Sequence, residues 1–154
     1  MINIRQATMN DLPILLEFEQ DLIAIERPMD DTLKREDTRY YDLPNFITSK
    51  NIEFVVAEVN DEVLSVGYAK LIKGEEYLQF ETYSYLGFMY TKPSHRGKGI
   101  NKIIMNYLYE WSLSKGIFEI RLEVYPNNIG AIKAYEKAGM KTSLHTMRID
   151  LRDQ

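Results

Sequence analysis

Residues 92–103, KPSHRGKGINKI, decide how this chain is read. The flank before them, YLGFMYT (85–91), reads as a strand, and the flank after them, IIMNYLYEWSL (103–113), reads as a helix. A helix start presents unpaired N–H groups and a partial positive charge. Gly97 and Gly99 let the backbone come close to an anion, because no Cβ intervenes. Arg96 and Lys98 add charge, and a guanidinium can grip a phosphate through two parallel bonds. The turn therefore suits a phosphate or pyrophosphate. The competing reading is a plain surface turn with solvated lysines. Neither GxxxxGK[ST] nor a complete GxGxxG is present, which removes the two best-known phosphate loops.

The rest of the chain narrows the partner. Its 154 residues, 45% hydrophobic and 27% charged, fit one soluble domain with a real core, residues 1–154. Without cysteine there is no disulfide and no thiolate–metal site, and His95 and His145 are too few for a histidine-rich one. No metal is expected. The apolar runs are too short to span a bilayer, and MINIRQATMNDLP lacks the core of a signal peptide, so a cytoplasmic protein without a membrane partner is the expectation. A net charge of -4 weighs against nucleic acid, which favours a broad basic face. The cations at 92–102 are local and point to a small anion.

Periodicity supplies the frame. Residues 2–6 read as a strand, and Asn10 can cap a helix carrying Leu12, Leu15, Leu16, Leu22 and Ile23, which should stop before Pro28. The acidic stretch 29–44 reads as a loop with a short helix, and 42–50 as another short helix. Segments 52–59, 62–72 and 77–91, joined by Asn60-Asp61 and by residues 73–76, should form an antiparallel meander. A helix over 98–115 would bury Ile100, Ile103, Ile104, Leu108 and Trp111 and end at Gly116. Then follow a strand at 117–125, a helix at 129–138 between Asn128 and Gly139, and a last strand within 140–151. The expected fold is α/β (α+β): a mixed, mostly antiparallel sheet of about six or seven strands flanked by about four helices.

A second segment, LEVYPNNIGAIKAYEKAGMK (122–141), specifies the frame further. Together the two segments resemble the GNAT superfamily, the acyl-CoA-dependent N-acetyltransferases. Thr91, Pro93, Arg96, Gly97 and Gly99 follow the order of the family's pyrophosphate turn, and Asn101 stands where glycine or alanine is usual. Asn128, Ala131, Tyr135 and Gly139 match the family's second motif, with Met140 in place of phenylalanine. The resemblance covers roughly residues 1–150 in element order, with its specific motifs at 86–105 and 122–141.

This resemblance implies a GNAT fold in which strands 77–91 and 117–125 run parallel and splay apart. It implies acetyl-CoA as cosubstrate, with pantetheine along the backbone of Met89, Tyr90 and Thr91 and phosphates at Arg96, Gly97, Lys98, Gly99, Ile100 and Asn101. Asn128 and Tyr135 join the cofactor residues, and Tyr135 is the acid that protonates the departing thiolate; its plainer reading is a packed aromatic. A base is also needed, because a lysine-like amine has a pKa of about 10.4. Tyr83 and Tyr85 are poor bases, and Glu81 lies eight residues from Met89, about 26 Å at about 3.3 Å per residue. Glu123, twelve residues before Tyr135, matches a glutamate base of ribosomal-protein N-acetyltransferases. Against that, Glu119, Arg121 and Glu123 alternate and read equally as a solvated ion-pair row.

The acceptor wall of such enzymes comes from the first helix pair. Here Glu26, Asp30, Asp31, Glu36, Asp37 and Asp42 outnumber Arg27, Lys34, Arg35 and Arg39. Tyr40 and Tyr41 add rings that attract cations. Glu26, Asp30, Tyr40 and Tyr41 are thus candidate substrate residues for a small cationic amine; an ordinary charged surface helix is the alternative. A peptide amino terminus, a lysine side chain, or a CoA sensor without turnover are the rival functions. The family often dimerises, and no segment decides whether this chain does.

Overall fold

The structure, a computed structural model, describes residues 1–153. The chain divides into two compact units, Met1–Glu123 and Val124–Gln154. In chain order the first unit runs β1 (Asn3–Gln6), α1 (Leu12–Glu26), α2 (Leu43–Thr48), β2 (Ile52–Val59), β3 (Glu62–Lys73), β4 (Thr82–Thr91), α3 (Ile100–Ser114) and β5 (Ile120–Arg121). The second holds α4 (Ile129–Lys137).

The expected meander is present. Strands β1 to β4 pair antiparallel in sequence order, and β5 adds to β4 in parallel. Asn60 and Asp61, at φ 50° and 64°, form the two-residue turn between β2 and β3, the left-handed geometry that a right-twisted hairpin favours. Pleating sends Phe54 and Val56 to one face, where they join Leu15 and Phe18 of α1, Leu43 and Phe46 of α2, and Tyr68 and Phe88. The other face packs against α3.

Several boundaries differ from the sequence expectation. The first helical stretch is opened by Thr8 rather than Asn10: the Thr8 N–H donates to the Asp11 carboxylate at 2.7 Å, closing a 3-10 turn before α1. No helix forms in 30–42; Arg27 holds that loop by donating to the carbonyls of Lys34 and Glu36, at 3.2 and 2.9 Å. Strand β4 begins at Thr82 instead of 77, because the Gly74 N–H bonds to the Glu81 carbonyl at 2.8 Å and closes a loop. Helix α3 buries Ile100, Ile104, Met105, Leu108 and Ser112, whereas Ile103 is 40% exposed. Ser84 and Ser112 share a buried hydroxyl bond of 2.7 Å in the same interface.

Five strands are found among the described residues, fewer than the six or seven expected. The strand expected at 117–125 is a ladder over Ile120–Arg121 alone, and residues 140–150 belong to no strand. An alternating stretch becomes a strand only where another edge offers it a ladder, and no sequence pattern supplies that edge. In the second unit α4 is capped as expected, with the Asn128 side-chain oxygen accepting from the Ala131 N–H at 3.3 Å.

Candidate active site

Strand β4 carries the feature that alternation could not reveal. Tyr68 of β3 pairs with Gly87, but Val66 pairs with Tyr90, so Gly67 alone faces both Phe88 and Met89. This is a bulge: two residues oppose one. Phe88 adopts φ 51°, uncommon for an aromatic residue. The extra residue shifts the pleat, so Tyr85 and Gly87 before it and Phe88 and Tyr90 after it all lie on the α1–α2 face. Met89 turns to the α3 face; its Sδ would lie 2.8 Å from a Cβ built on Gly67.

The other edge of β4 opens at the same level. Its parallel ladder with β5 has two rungs, Ser84↔Ile120 and Tyr85↔Arg121, and then stops while β4 continues to Thr91. From Leu86 to Thr91 no strand lies along that edge among the described residues. Met89, Tyr90 and Thr91, the expected pantetheine backbone, fall in this opened stretch.

The glycine turn follows directly. Gly97 and Gly99 sit at φ 77° and 81°, and nothing crowds the Cβ positions there, so the demand for glycine is conformational rather than steric. Ile103 N–H to Gly99 carbonyl, at 3.2 Å, is the first bond of α3, which leaves the N–H groups of Ile100, Asn101 and Lys102 without helical partners. Arg96 braces the turn: Nε donates to the Thr91 carbonyl at 2.8 Å, and the guanidinium lies 5.4 Å from the Tyr90 ring centre. The Asn101 amide is directed to Met105 Sδ, 3.7 Å away, and Lys98 lies between the two glycines. The Ser65 hydroxyl donates to the Tyr90 carbonyl at 2.8 Å, and the Tyr90 hydroxyl donates to Asp21 of α1 at 2.8 Å. The strand end is thus fixed from three sides.

A second group of residues gathers beside the bulge. The Tyr85 hydroxyl donates to Glu123 Oε1 at 2.9 Å. Tyr68 lies 6.4 Å from Tyr85, ring centre to ring centre; Tyr41 meets Tyr68 edge-on at 5.7 Å and stacks on Phe88 at 4.9 Å. Burial pushes the Tyr41 and Tyr85 phenols well above their ordinary value, and the Glu123 charge adds to the shift at Tyr85. Tyr68 is pushed up to about 12 by burial and then by Glu123. Glu26 is raised mainly by burial; Tyr40 bonding opposes this and the Asp30 charge adds to it. Of the sequence candidates, Glu26, Asp30, Tyr40 and Tyr41 therefore form one interacting set. Asn128 and Tyr135 lie in the second unit, Tyr135 on α4.

Sequence reasoning missed Tyr68 and Glu19, and weighed Tyr85 only as a poor base. Glu19 is fully buried and accepts from the backbone N–H groups of Tyr40 and Tyr41, both at 2.9 Å, and from Arg39 at 3.2 Å. Its signal was available: Glu19 sits four residues from both Leu15 and Ile23, on the apolar stripe of α1. Tyr68 and Tyr85 had no such signal, since only the strand register unites them.

Gly87 supports Tyr68 by lacking a side chain, because a Cβ there would overlap the Tyr68 hydroxyl and ring. Gly87→Ala is expected to destabilise by about 1–3 kcal/mol, the usual range for overpacking a closed site. Urea unfolding measures it; an unchanged midpoint would mean that Tyr68 has room to move.

A mixed sheet opened at one parallel pair, with a glycine turn and a helix start at the opening, defines the class as an α/β fold with an anion-ready helix start beside a free strand edge. The comparison with known families makes it particular: the acetyltransferase (GNAT) family pattern matches residues 18–140, and the chain belongs to that family. A predicted acetyltransferase of Clostridium acetobutylicum, solved with acetyl-CoA, has the same fold at TM-score 0.74 and 19% identity, over 100% of this chain and 99% of its own. Glucosamine-6-phosphate N-acetyltransferase of Arabidopsis thaliana matches at TM-score 0.71 and 17% identity, over 98% and 99%. In sequence, streptothricin acetyltransferase of Escherichia coli is 39% identical over 46 residues. That match spans 30% of this chain and 26% of the length of that enzyme. No described helix is long and apolar enough to cross a membrane.

Proposed function

We propose that this protein transfers an acetyl group from acetyl-CoA to a primary amine by direct attack, with a small cationic amine as acceptor. The observation that carries the reading is the opened edge of β4 running into the 96–101 turn. It combines strand backbone for a pantetheine arm with helix-start N–H groups, Arg96 and Lys98 for a pyrophosphate. Family membership supports acetyl-CoA as the ligand, and the match at 18–140 crosses both units, which supports one catalytic domain over the chain.

In this reading Glu123 takes the proton that the amine must lose. The amine nitrogen bonds to the acetyl carbonyl carbon, the carbon–sulfur bond breaks, and Tyr135 supplies a proton to the CoA sulfur. Backbone N–H groups at the bulge meet the carbonyl oxygen as charge builds there. Glu26, Asp30, Tyr40 and Tyr41 favour a cationic acceptor, since desolvated carboxylates and ring faces both attract ammonium groups. The streptothricin acetyltransferase similarity adds weight to a small-molecule acceptor.

CoA thiol release is the test, measured from acetyl-CoA against polyamines, aminoglycosides, streptothricin, amino acids and short peptides. Turnover with a cationic small molecule is the expected result. Turnover with peptides alone would move the assignment to protein acetylation. Acetyl-CoA binding with no turnover on any acceptor would favour a sensor, and failure to bind acetyl-CoA would overturn the reading of the turn.

A further inference from the structure

Strand β5 ends at Arg121, so Glu123 stands two residues beyond the last rung, where backbone pairing no longer restrains it. That last rung pairs Arg121 with Tyr85. Along an extended chain the residue two positions on shares the same face, so Glu123 follows Arg121 on the face that Tyr85 presents. The phenol reaches diagonally across the opening to Glu123 Oε1, 2.9 Å away. We propose that Tyr85 is a positioning residue: its hydroxyl orients the Glu123 carboxylate so that Oε2 meets the acceptor ammonium and removes its proton. This rests on the proposed role of Glu123 as base and goes beyond it by naming what holds that base.

The phenol is suited to this because it is itself immobilised. Tyr85 packs against the apolar core, with Tyr68 beside it, and Tyr68 lies over Gly87 and is bounded by Tyr41 and by Phe46 at 5.0 Å. A rigid ring gives a fixed donor position, which a flexible polar side chain would not. The neighbouring charges leave the pair intact. Arg121 is turned to Glu119 at 3.0 Å and lies over the Phe80 and Tyr83 rings, at 5.2 and 5.1 Å, instead of competing for Glu123. The groups facing the pair are Tyr68 from β3, Tyr83 and Tyr85 from β4, Tyr41 from the 30–42 loop with Glu26 behind it, and Arg121 on β5. Burial and the Glu123 charge hold the Tyr85 proton in place, so this phenol remains a donor through the neutral range.

The measurement is kcat, KM for the amine and KM for acetyl-CoA with the best acceptor in wild type, Tyr85→Phe, Glu123→Gln and the double variant. Loss of an orienting bond acts on proton transfer and not on cosubstrate binding, so KM for acetyl-CoA should hold within about twofold. Tyr85→Phe should lower kcat by about tenfold through misorientation, with acetyl-CoA affinity unchanged. In the Glu123→Gln background the same substitution should add nothing, because the proton acceptor that the phenol orients is already gone. Glu123→Asp, which retracts the carboxylate from the phenol, is a second variant and should reproduce the rate loss of Tyr85→Phe should that protein fold poorly. An unchanged kcat in Tyr85→Phe, or an equal loss in both backgrounds, would overturn the positioning role while leaving Glu123 as base. Full turnover in Glu123→Gln would instead remove the base, and this proposal with it.

Discussion

Exchange of Glu123 for glutamine is expected to lower kcat by a factor of roughly 10²–10⁴, the span that a positioned general base contributes. Glutamine keeps the shape and can still accept from the Tyr85 hydroxyl, so the 2.9 Å contact need not be lost. What it loses is the ability to take a proton at neutral pH. Acetyl-CoA affinity should stay within about twofold, because the groups proposed to hold that ligand lie on β4 and at the start of α3. Tyr135→Phe should give a loss of similar order if its hydroxyl supplies the proton to the CoA sulfur. Steady-state kinetics with calorimetric acetyl-CoA titration separates the two effects. Unchanged kcat in both variants would leave proton transfer to water and remove both assignments.

The second large effect concerns stability. Glu19→Ala is expected to destabilise the fold by about 3–5 kcal/mol, because it removes a buried carboxylate from its partners. The N–H groups of Tyr40 and Tyr41 would lose their acceptor, and Arg39 its counter-charge. Glu19→Gln retains one accepting oxygen and should cost less, about 1–3 kcal/mol. For a chain of this length the alanine variant corresponds to a fall in Tm of roughly 6–20 °C. The consequence reaches the proposed acceptor wall, since Glu19 seats the backbone that presents Tyr41 to Tyr68 and Phe88. KM for the amine should therefore rise more than KM for acetyl-CoA. Calorimetric unfolding checks the stability claim; a Tm within about 2 °C of wild type would show the loop to be held by other contacts.

Helices, caps and turns were legible from the residues alone. Their causes act over a few positions: α1 stops at Glu26 ahead of Pro28, Asn128 caps α4, and Asn60-Asp61 closes the hairpin. The 96–101 turn was equally legible, because positive φ at Gly97 and Gly99 is a demand that glycine meets by itself. What was not legible is set by partners elsewhere in the chain: the strand expected at 117–125 found two rungs and the one within 140–151 none, and the bulge at Phe88–Met89 exchanges the faces of β4 from there to Thr91.

By itself, then, the sequence determined the order of elements, the antiparallel meander, the cationic turn at a helix start and the candidate base. These follow from pleat and helix periods, caps and turn chemistry, all of which are local. Only the tertiary structure decided that β5 is two residues long, that β4 bulges beside its end, and that Tyr85 reaches Glu123. It also decided that Glu19 turns inward to hold Tyr40 and Tyr41. Each of these depends on the register between strands or on packing between residues 21 to 38 positions apart. Such partners are chosen by the whole packed sheet, and no window along the chain contains both of them.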